Sequence, residues 1–147
     1  MKKTTFPTPQ DAEAAFYEAL ETADLDAMME VWAEDEEVVC VHPGGPRLAG
    51  LQQVRASWEG MFSTGQRLKV RLTDQSVMSG MMVAVHSLHE NITLPGEPRP
   101  RQPVVTTNVY LRTANGWRMI VHHASPAPQQ PAPAPAPRAS EPSKTLH

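Results

Sequence analysis

The chain has a single cysteine, few aromatic residues and no surplus of positive charge, with 13 Lys and Arg against 16 Asp and Glu. Each shortage removes a class of function. One thiol cannot form an internal disulfide, and Cys40 sits in the run Val38-Val39-Cys40-Val41, the setting of a buried apolar residue rather than a nucleophile. A reducing, cytoplasmic location is expected. A formal net charge of −3 leaves no basic field to neutralise phosphates, so nucleic acid is not an expected partner. No apolar run approaches the roughly 20 residues needed to cross a bilayer, and no membrane partner is expected. The opening residues, Lys2-Lys3-Thr4-Thr5-Phe6-Pro7, lack the apolar centre of a secretory signal.

Proline, by contrast, is plentiful, and its distribution divides the chain. From Pro126 to Pro142 it alternates with Ala, Gln and Ser, a composition without the apolar mass to offset ordering entropy. The expected organisation is an extension over 1–7, one domain over 8–126 and a disordered Ala/Pro-rich tail over 127–147. The domain opens with helix signals: Thr8 as N-cap, Pro9 at the first helical position, and a stripe of Ala12, Phe16 and Leu20 with Ala15 and Ala19. A second helix is marked by Asp24 as cap and by Leu25, Met28, Met29 and Trp32 at i, i+3, i+4 and i+7. A short strand, 38–42, meets the turn Pro43-Gly44-Gly45-Pro46, and after Gly50 a third helix places Leu51, Val54, Trp58, Met61 and Phe62 on one side.

Helical spacing ends there. Four long strands follow over 67–79, 81–94, 104–113 and 117–125, the last two joined at Asn115-Gly116, which predicts a type I′ hairpin turn. Helices followed by consecutive hairpins give an α+β domain with an antiparallel sheet and the helices on one face. Val105, Val109 and Leu111 lie opposite Val104 and Tyr110, so both sheet faces carry apolar residues. A homodimer through the outer face is expected.

This order of elements resembles the nuclear transport factor 2-like superfamily over about residues 8 to 126, a cone-shaped fold with helices packed on a curved sheet. Three strings carry the resemblance: Asp24-Leu25-Asp26-Ala27 with Trp32-Ala33-Glu34-Asp35; Val41-His42-Pro43-Gly44-Gly45 followed by Gly50; and the run 115–126 that begins Asn115-Gly116-Trp117-Arg118. The last string looks like the end of SnoaL-like proteins and is similar to the association domain of calcium/calmodulin-dependent kinase II. Against ketosteroid isomerase, His42 falls at the general base, Asn108 at a carboxylic acid kept neutral, and Phe16 at the tyrosine of the oxyanion hole. Phe16 has no hydroxyl, and Asn108 donates only through an amide. Against the kinase association domain, three pocket arginines correspond to Ser87, Asn108 and Ala124, so its forked cationic grip is missing.

The register implied by that resemblance turns Ser87, His89 and Asn91 on one strand, Thr106 and Asn108 on the next, and Ile120 and His122 on the last towards a pocket. Glu90 and His123 then face away. Phe16, Trp58 and Phe62 form the apolar wall, and Asn108 is the best single pocket residue, since a buried amide must find partners. The expected function is binding of a small, largely apolar molecule without assigned catalysis. One alternative is acid/base chemistry with His42 as base, its imidazole being suited to proton transfer near neutrality, and Asn108 as oxyanion donor. Another is an oligomerising association module. No cofactor is implied. A zinc site drawn from His42, His89 and His122 lacks the tight spacing of a metal motif, and no metal is expected.

Overall fold

The structure, a computed structural model, describes residues 4–97 and 101–128. Most of the Ala/Pro-rich tail lies outside the described residues. Helix α1 (Pro9–Thr22) starts where Thr8 holds extended backbone and its hydroxyl oxygen accepts the Asp11 N–H at 3.0 Å. It stops at Ala23, which turns left-handed at φ 53°, and the Asp24 carboxylate then caps α2 (Leu25–Val31) by accepting the Ala27 N–H at 3.0 Å. After a hairpin of two short strands, β1 (Val39–Val41) and β2 (Arg47–Ala49), Gly50 at φ 90° leads into α3 (Leu51–Phe62). The long strands β3 (Lys69–Ser79), β4 (Val83–Thr93), β5 (Val104–Thr113) and β6 (Gly116–Pro126) complete the domain. Strand β2 has no counterpart in the sequence reading, because its three residues fall inside a Pro/Gly-bounded segment too short to show alternation.

The six strands form one curved, open sheet in the order β2-β1-β6-β5-β4-β3. It is not wholly antiparallel: β1 runs parallel to β6, pairing Cys40 with His122. These two strands are far apart in sequence, so no hairpin dictates their sense. The rings and chains that fill the helix-covered face are Phe16, Met28, Trp32, Trp58, Tyr110 and Met119, all buried. Each such burial is worth about 1.5–3 kcal/mol.

Two expectations about local geometry are corrected. The β5–β6 turn is made by Ala114 and Asn115, with Thr113 paired to Gly116, and only Gly116 takes positive φ, at 94°. A type I′ turn needs positive φ at both central residues, so that assignment fails. Gly116 is required for a second reason: a Cβ there would lie 2.7 Å from the backbone oxygen of Phe6, which pairs alongside it. The residues before α1 are thereby tied to the sheet, with the Trp117 N–H donating to the Phe6 carbonyl at 2.9 Å and Arg118 to that of Thr4 at 2.6 Å.

The second correction concerns β4. Ala84, His86, Leu88 and Glu90 are buried, whereas Ser87 is exposed and His89 half-exposed. Ser87, His89 and Asn91 therefore face away from the helices, and Glu90 faces them, the reverse of the expected register. The register implied by the resemblance, with period-two alternation, places Glu90 outward. The helix supplies buried partners for both polar groups, which overrides that placement. On β5 and β6 the expected faces hold: Thr106, Asn108, His122 and Ala124 are buried, and His123 is exposed.

Candidate functional site

Helix α1 places Glu13, Tyr17 and Glu21 at i, i+4 and i+8, one line along its surface beside the apolar stripe. All three bond to the sheet. Glu21 accepts the Val70 N–H at 2.8 Å. Glu13 accepts from His86 Nδ1 at 2.6 Å, from the Tyr110 hydroxyl at 3.2 Å and from Gln75 at 3.2 Å. Tyr17 donates its hydroxyl to Glu90 Oε2 at 2.7 Å.

From Tyr17 the bonds continue across the sheet. Asn108 Nδ2 donates to the Tyr17 oxygen at 2.9 Å, and Asn108 Oδ1 accepts from His122 Nδ1 at 2.6 Å. The strand register makes this possible: His86, Asn108 and His122 are successive cross-strand partners on β4, β5 and β6, in one transverse row. All the groups from Glu90 to His122 are buried. Among the described residues, His122 Nε2 makes no hydrogen bond.

Around His122 the surroundings turn aromatic. Its ring lies 4.8 Å from Phe16, 6.1 Å from Trp58 and 6.5 Å from His42, centroid to centroid. His42 stands edge-on to Trp58 at 4.6 Å, and Phe62 packs against Trp58 in a tilted arrangement at 5.6 Å. His42 Nε2 lies 3.1 Å from Ser57 Oγ, while the Ser57 hydroxyl donates to the Val54 carbonyl at 2.8 Å. The serine proton is thus committed, and Nε2 is the donor in the His42–Ser57 bond. Cys40 Sγ lies 3.6 Å from the same nitrogen, but burial pushes its thiol up to about 12, so it is no thiolate.

Burial governs the titratable groups here. His122 is lowered to about 3, first by desolvation and then by the neighbouring His42 and His123, so it is neutral near pH 7. Burial also lowers His42. Glu90 is raised by desolvation, against which the Tyr17 hydroxyl bond acts, and desolvation raises Tyr17 and Tyr110.

Of the residues singled out by sequence, His42, Phe16, Trp58, Phe62, Asn108 and His122 come together at one end of the helix-covered face. His42 follows β1 and Asn108 lies on β5, so the two flank β6, which carries His122. Asn108 gives an N–H to Tyr17 and its carbonyl to His122, so its amide already has partners inside the protein. Ser87 and His89 are on the other face, where His89 Nδ1 meets Asp74 at 3.2 Å. With His89 there, His42, His89 and His122 do not converge, and among the described residues no group of three His, Cys, Asp or Glu could hold a metal ion. The rings of Phe16, Trp58 and His122 pack on one another, and Asn108 joins them through its bond to His122. Clefts of about 370 and 380 Å³ lie elsewhere, one bounded by Trp32 and Arg118, the other by Lys69 and Asn91.

Tyr17, Glu90 and Ser57 escaped the sequence reading. A hydroxyl does stand one residue beyond Phe16, on Tyr17, but its proton is committed to Glu90. The spacing of Glu13, Tyr17 and Glu21 was the available signal.

Residues 10–129 match the family model of the SnoaL-like domain. A Thiobacillus denitrificans structure, provisionally described as a calcium/calmodulin-dependent protein kinase type II association domain, is 42% identical, with a TM-score of 0.78 over 85% of this chain and 99% of that one. A Streptomyces avermitilis structure, provisionally described as a dehydratase of the NTF2-like family, is 35% identical, with a TM-score of 0.72 over 79% of this chain and 91% of that one. The F-box protein SKIP8 of Arabidopsis thaliana is 24% identical over 112 residues, 75% of this chain and 46% of SKIP8, so the chain spans about half the length of that curated relative. With the family model covering most of the domain, the chain belongs to the SnoaL-like family of NTF2-like proteins.

Proposed function

We propose that this domain binds a small, largely apolar molecule where His42, Trp58, Phe62 and His122 meet. The observation that carries this reading is a neutral, buried imidazole set among aromatic rings, with one ring nitrogen unengaged among the described residues. An apolar wall with one or two fixed polar groups is the usual composition of such sites. Phe62 is half-buried, and it and the Trp58 ring are the side chains that must shift to admit a ligand. Native mass spectrometry of protein purified without denaturation tests this: a retained small molecule is expected in wild type and absent in Trp58→Ala. Ligand-free wild type that also shows no amide shifts with one- to four-ring apolar compounds defeats the reading.

A second reading, acid/base catalysis, is favoured by the pair His42 and His122, two imidazoles 6.5 Å apart, both held towards the unprotonated form by burial. The Streptomyces avermitilis relative's provisional description as a dehydratase points the same way. Turnover that disappears in His42→Ala while ligand binding remains supports catalysis. Turnover untouched by that change removes His42 from the chemistry.

The outer sheet face supports self-association as a homodimer. Val105 is 38% exposed and Val83 41%, and the β3–β4 hairpin adds Met78 and Met81, at 75% and 83%. Such apolar exposure on one face is the mark of an interface. Sedimentation equilibrium at micromolar concentration should give twice the chain mass. A monomer defeats the dimer, and a larger ring favours an association module.

A further inference from the structure

The buried bonds from Glu90 to His122 run in one direction. An ionised carboxylate only accepts, so the Tyr17 hydroxyl must spend its single proton on Glu90. The Tyr17 oxygen is then left as an acceptor, which draws the amide nitrogen of Asn108 and turns its carbonyl towards β6. That carbonyl can only accept, so His122 carries its proton on Nδ1. In a neutral imidazole the other nitrogen then holds a lone pair.

We propose that Glu90 is a positioning residue: through Tyr17 and Asn108 it fixes the tautomer of His122, so that the aromatic end of the domain presents Nε2 as a hydrogen-bond acceptor and selects molecules bearing a hydroxyl or N–H donor. The ligand half of this inference rests on the small-molecule reading above; the tautomer half does not. His42 has the same polarity by a separate route. The Val54 carbonyl takes the Ser57 proton, Ser57 takes the Nε2 proton of His42, and Nδ1 of His42 keeps its lone pair. Two acceptors of fixed orientation are the opposite of an oxyanion hole, which stabilises developing negative charge with donors. A compound that develops negative charge on a carbonyl oxygen finds no free donor in either imidazole, since both N–H groups are already engaged, whereas an alcohol, phenol or amine finds acceptors.

The direction depends on the carboxylate. If Glu90 instead carries a proton and donates it, every bond reverses: Tyr17 donates to Asn108 Oδ1, the amide nitrogen to His122 Nδ1, and Nε2 becomes N–H. Burial first, and then the charge of Glu13, favour that protonated state, and the Tyr17 bond opposes it. The two arrangements differ at one observable atom.

Two-bond proton–nitrogen correlation spectra of labelled protein at pH 7 read it directly. Wild type should show His122 as the Nδ1–H tautomer with an unprotonated Nε2. In Glu90→Gln, which can turn either an oxygen or an NH₂ to Tyr17, and in Tyr17→Phe, which frees the Asn108 amide to flip, both ring nitrogens should move to averaged positions. An Nε2–H tautomer in wild type overturns the proposal, as does a single Nδ1–H tautomer surviving in both variants. If Glu90→Gln fails to fold, Tyr17→Phe decides alone, since it keeps the ring. The ligand half is read with 2-naphthol and 2-methoxynaphthalene, identical skeletons with and without a donor. The naphthol is expected to bind at least about ten-fold more tightly. Equal affinity, or preference for the ether, overturns donor selection. If neither binds, the ligand half falls together with the small-molecule reading, and the tautomer spectra still decide the role of Glu90.

Discussion

Two buried carboxylates lie under the same helix face and do different work. Glu13, on α1, accepts hydrogen bonds from His86, Tyr110 and Gln75, so three donors close on one group. Glu90, on β4, receives one from Tyr17 and starts a chain that leads away from it to His122. Each joins helix to sheet through a tyrosine, in opposite senses: strand tyrosine to helix carboxylate in the first, helix tyrosine to strand carboxylate in the second. A convergent cluster holds elements together and transmits nothing, because every proton ends at the same acceptor. His86 Nε2 in the cluster is also buried without a partner, so what distinguishes the chain is that the state of its first member is legible at its last. The difference separates a structural polar cluster from one suited to a site, even though both are buried and both contain a His.

The sharpest way to break the comparison is Glu13→Ala, which leaves three donors without their acceptor inside the protein. A loss of about 4 kcal/mol in urea denaturation is expected, with the His122 tautomer unchanged. A loss below about 1 kcal/mol would mean that the convergent cluster does not hold α1 to the sheet. Asn108→Leu removes two bonds of the chain, those to Tyr17 and His122, and leaves Glu90 its Tyr17 bond. About 2 kcal/mol is expected, and a loss equal to that of Glu13→Ala would erase the distinction.

Acid sharpens it further. His122 titrates near 3 in the folded protein and near 6.5 when exposed, so between these values the unfolded chain binds the extra proton. Stability is therefore lost as pH falls below about 6.5, by up to about 1.4 kcal/mol per unit. His42, also lowered, adds in the same direction. Glu90, raised by burial, has the opposite sign: its folded form keeps a proton that the unfolded chain releases above about 4.5, so it costs stability as pH rises from there. Denaturation midpoints between pH 7 and 5 should fall less steeply in His122→Phe than in wild type, and parallel slopes would contradict the assignment. The smallest effect is expected at Ser57→Ala, below about 1 kcal/mol, because that bond is half-exposed. The informative readout there is His42, which should lose its preference for a proton on Nε2 in nitrogen spectra.

The elements were legible where local chemistry alone decides them. Thr8 with Pro9, Asp24 before Leu25, and the alternation of 104–113 each fix a boundary within a few residues, and the bounds of β5 agree in full. The site was legible only in part. His42, Trp58 and Phe62 announce themselves through a turn and a helical stripe, and Asn108 through being an amide inside a strand. Glu90 did not, because a glutamate between His89 and Asn91 reads as surface until its partner is known. That partner, Tyr17, lies 73 residues away on a helix whose apolar stripe drew attention to Phe16. The inner face of β4 was thus decided by the helix above it, and a strand with polar residues on both faces has no pattern of its own to resist.

Among the described residues, the last strand in sequence is an interior one. Strand β6, residues 116–126, lies between β1 and β5, and it also receives Phe6 from the far end of the chain. A nascent polypeptide emerging from the ribosome can assemble the β3–β4–β5 meander from local hairpins, but the β1–β2 hairpin has no neighbour until β6 is synthesised. Asn108 likewise waits for His122, and Thr4 for Arg118. Completion of the sheet therefore depends on one late segment that joins its two halves, and a chain cut short before residue 116 should leave β1 and β5 without their shared neighbour.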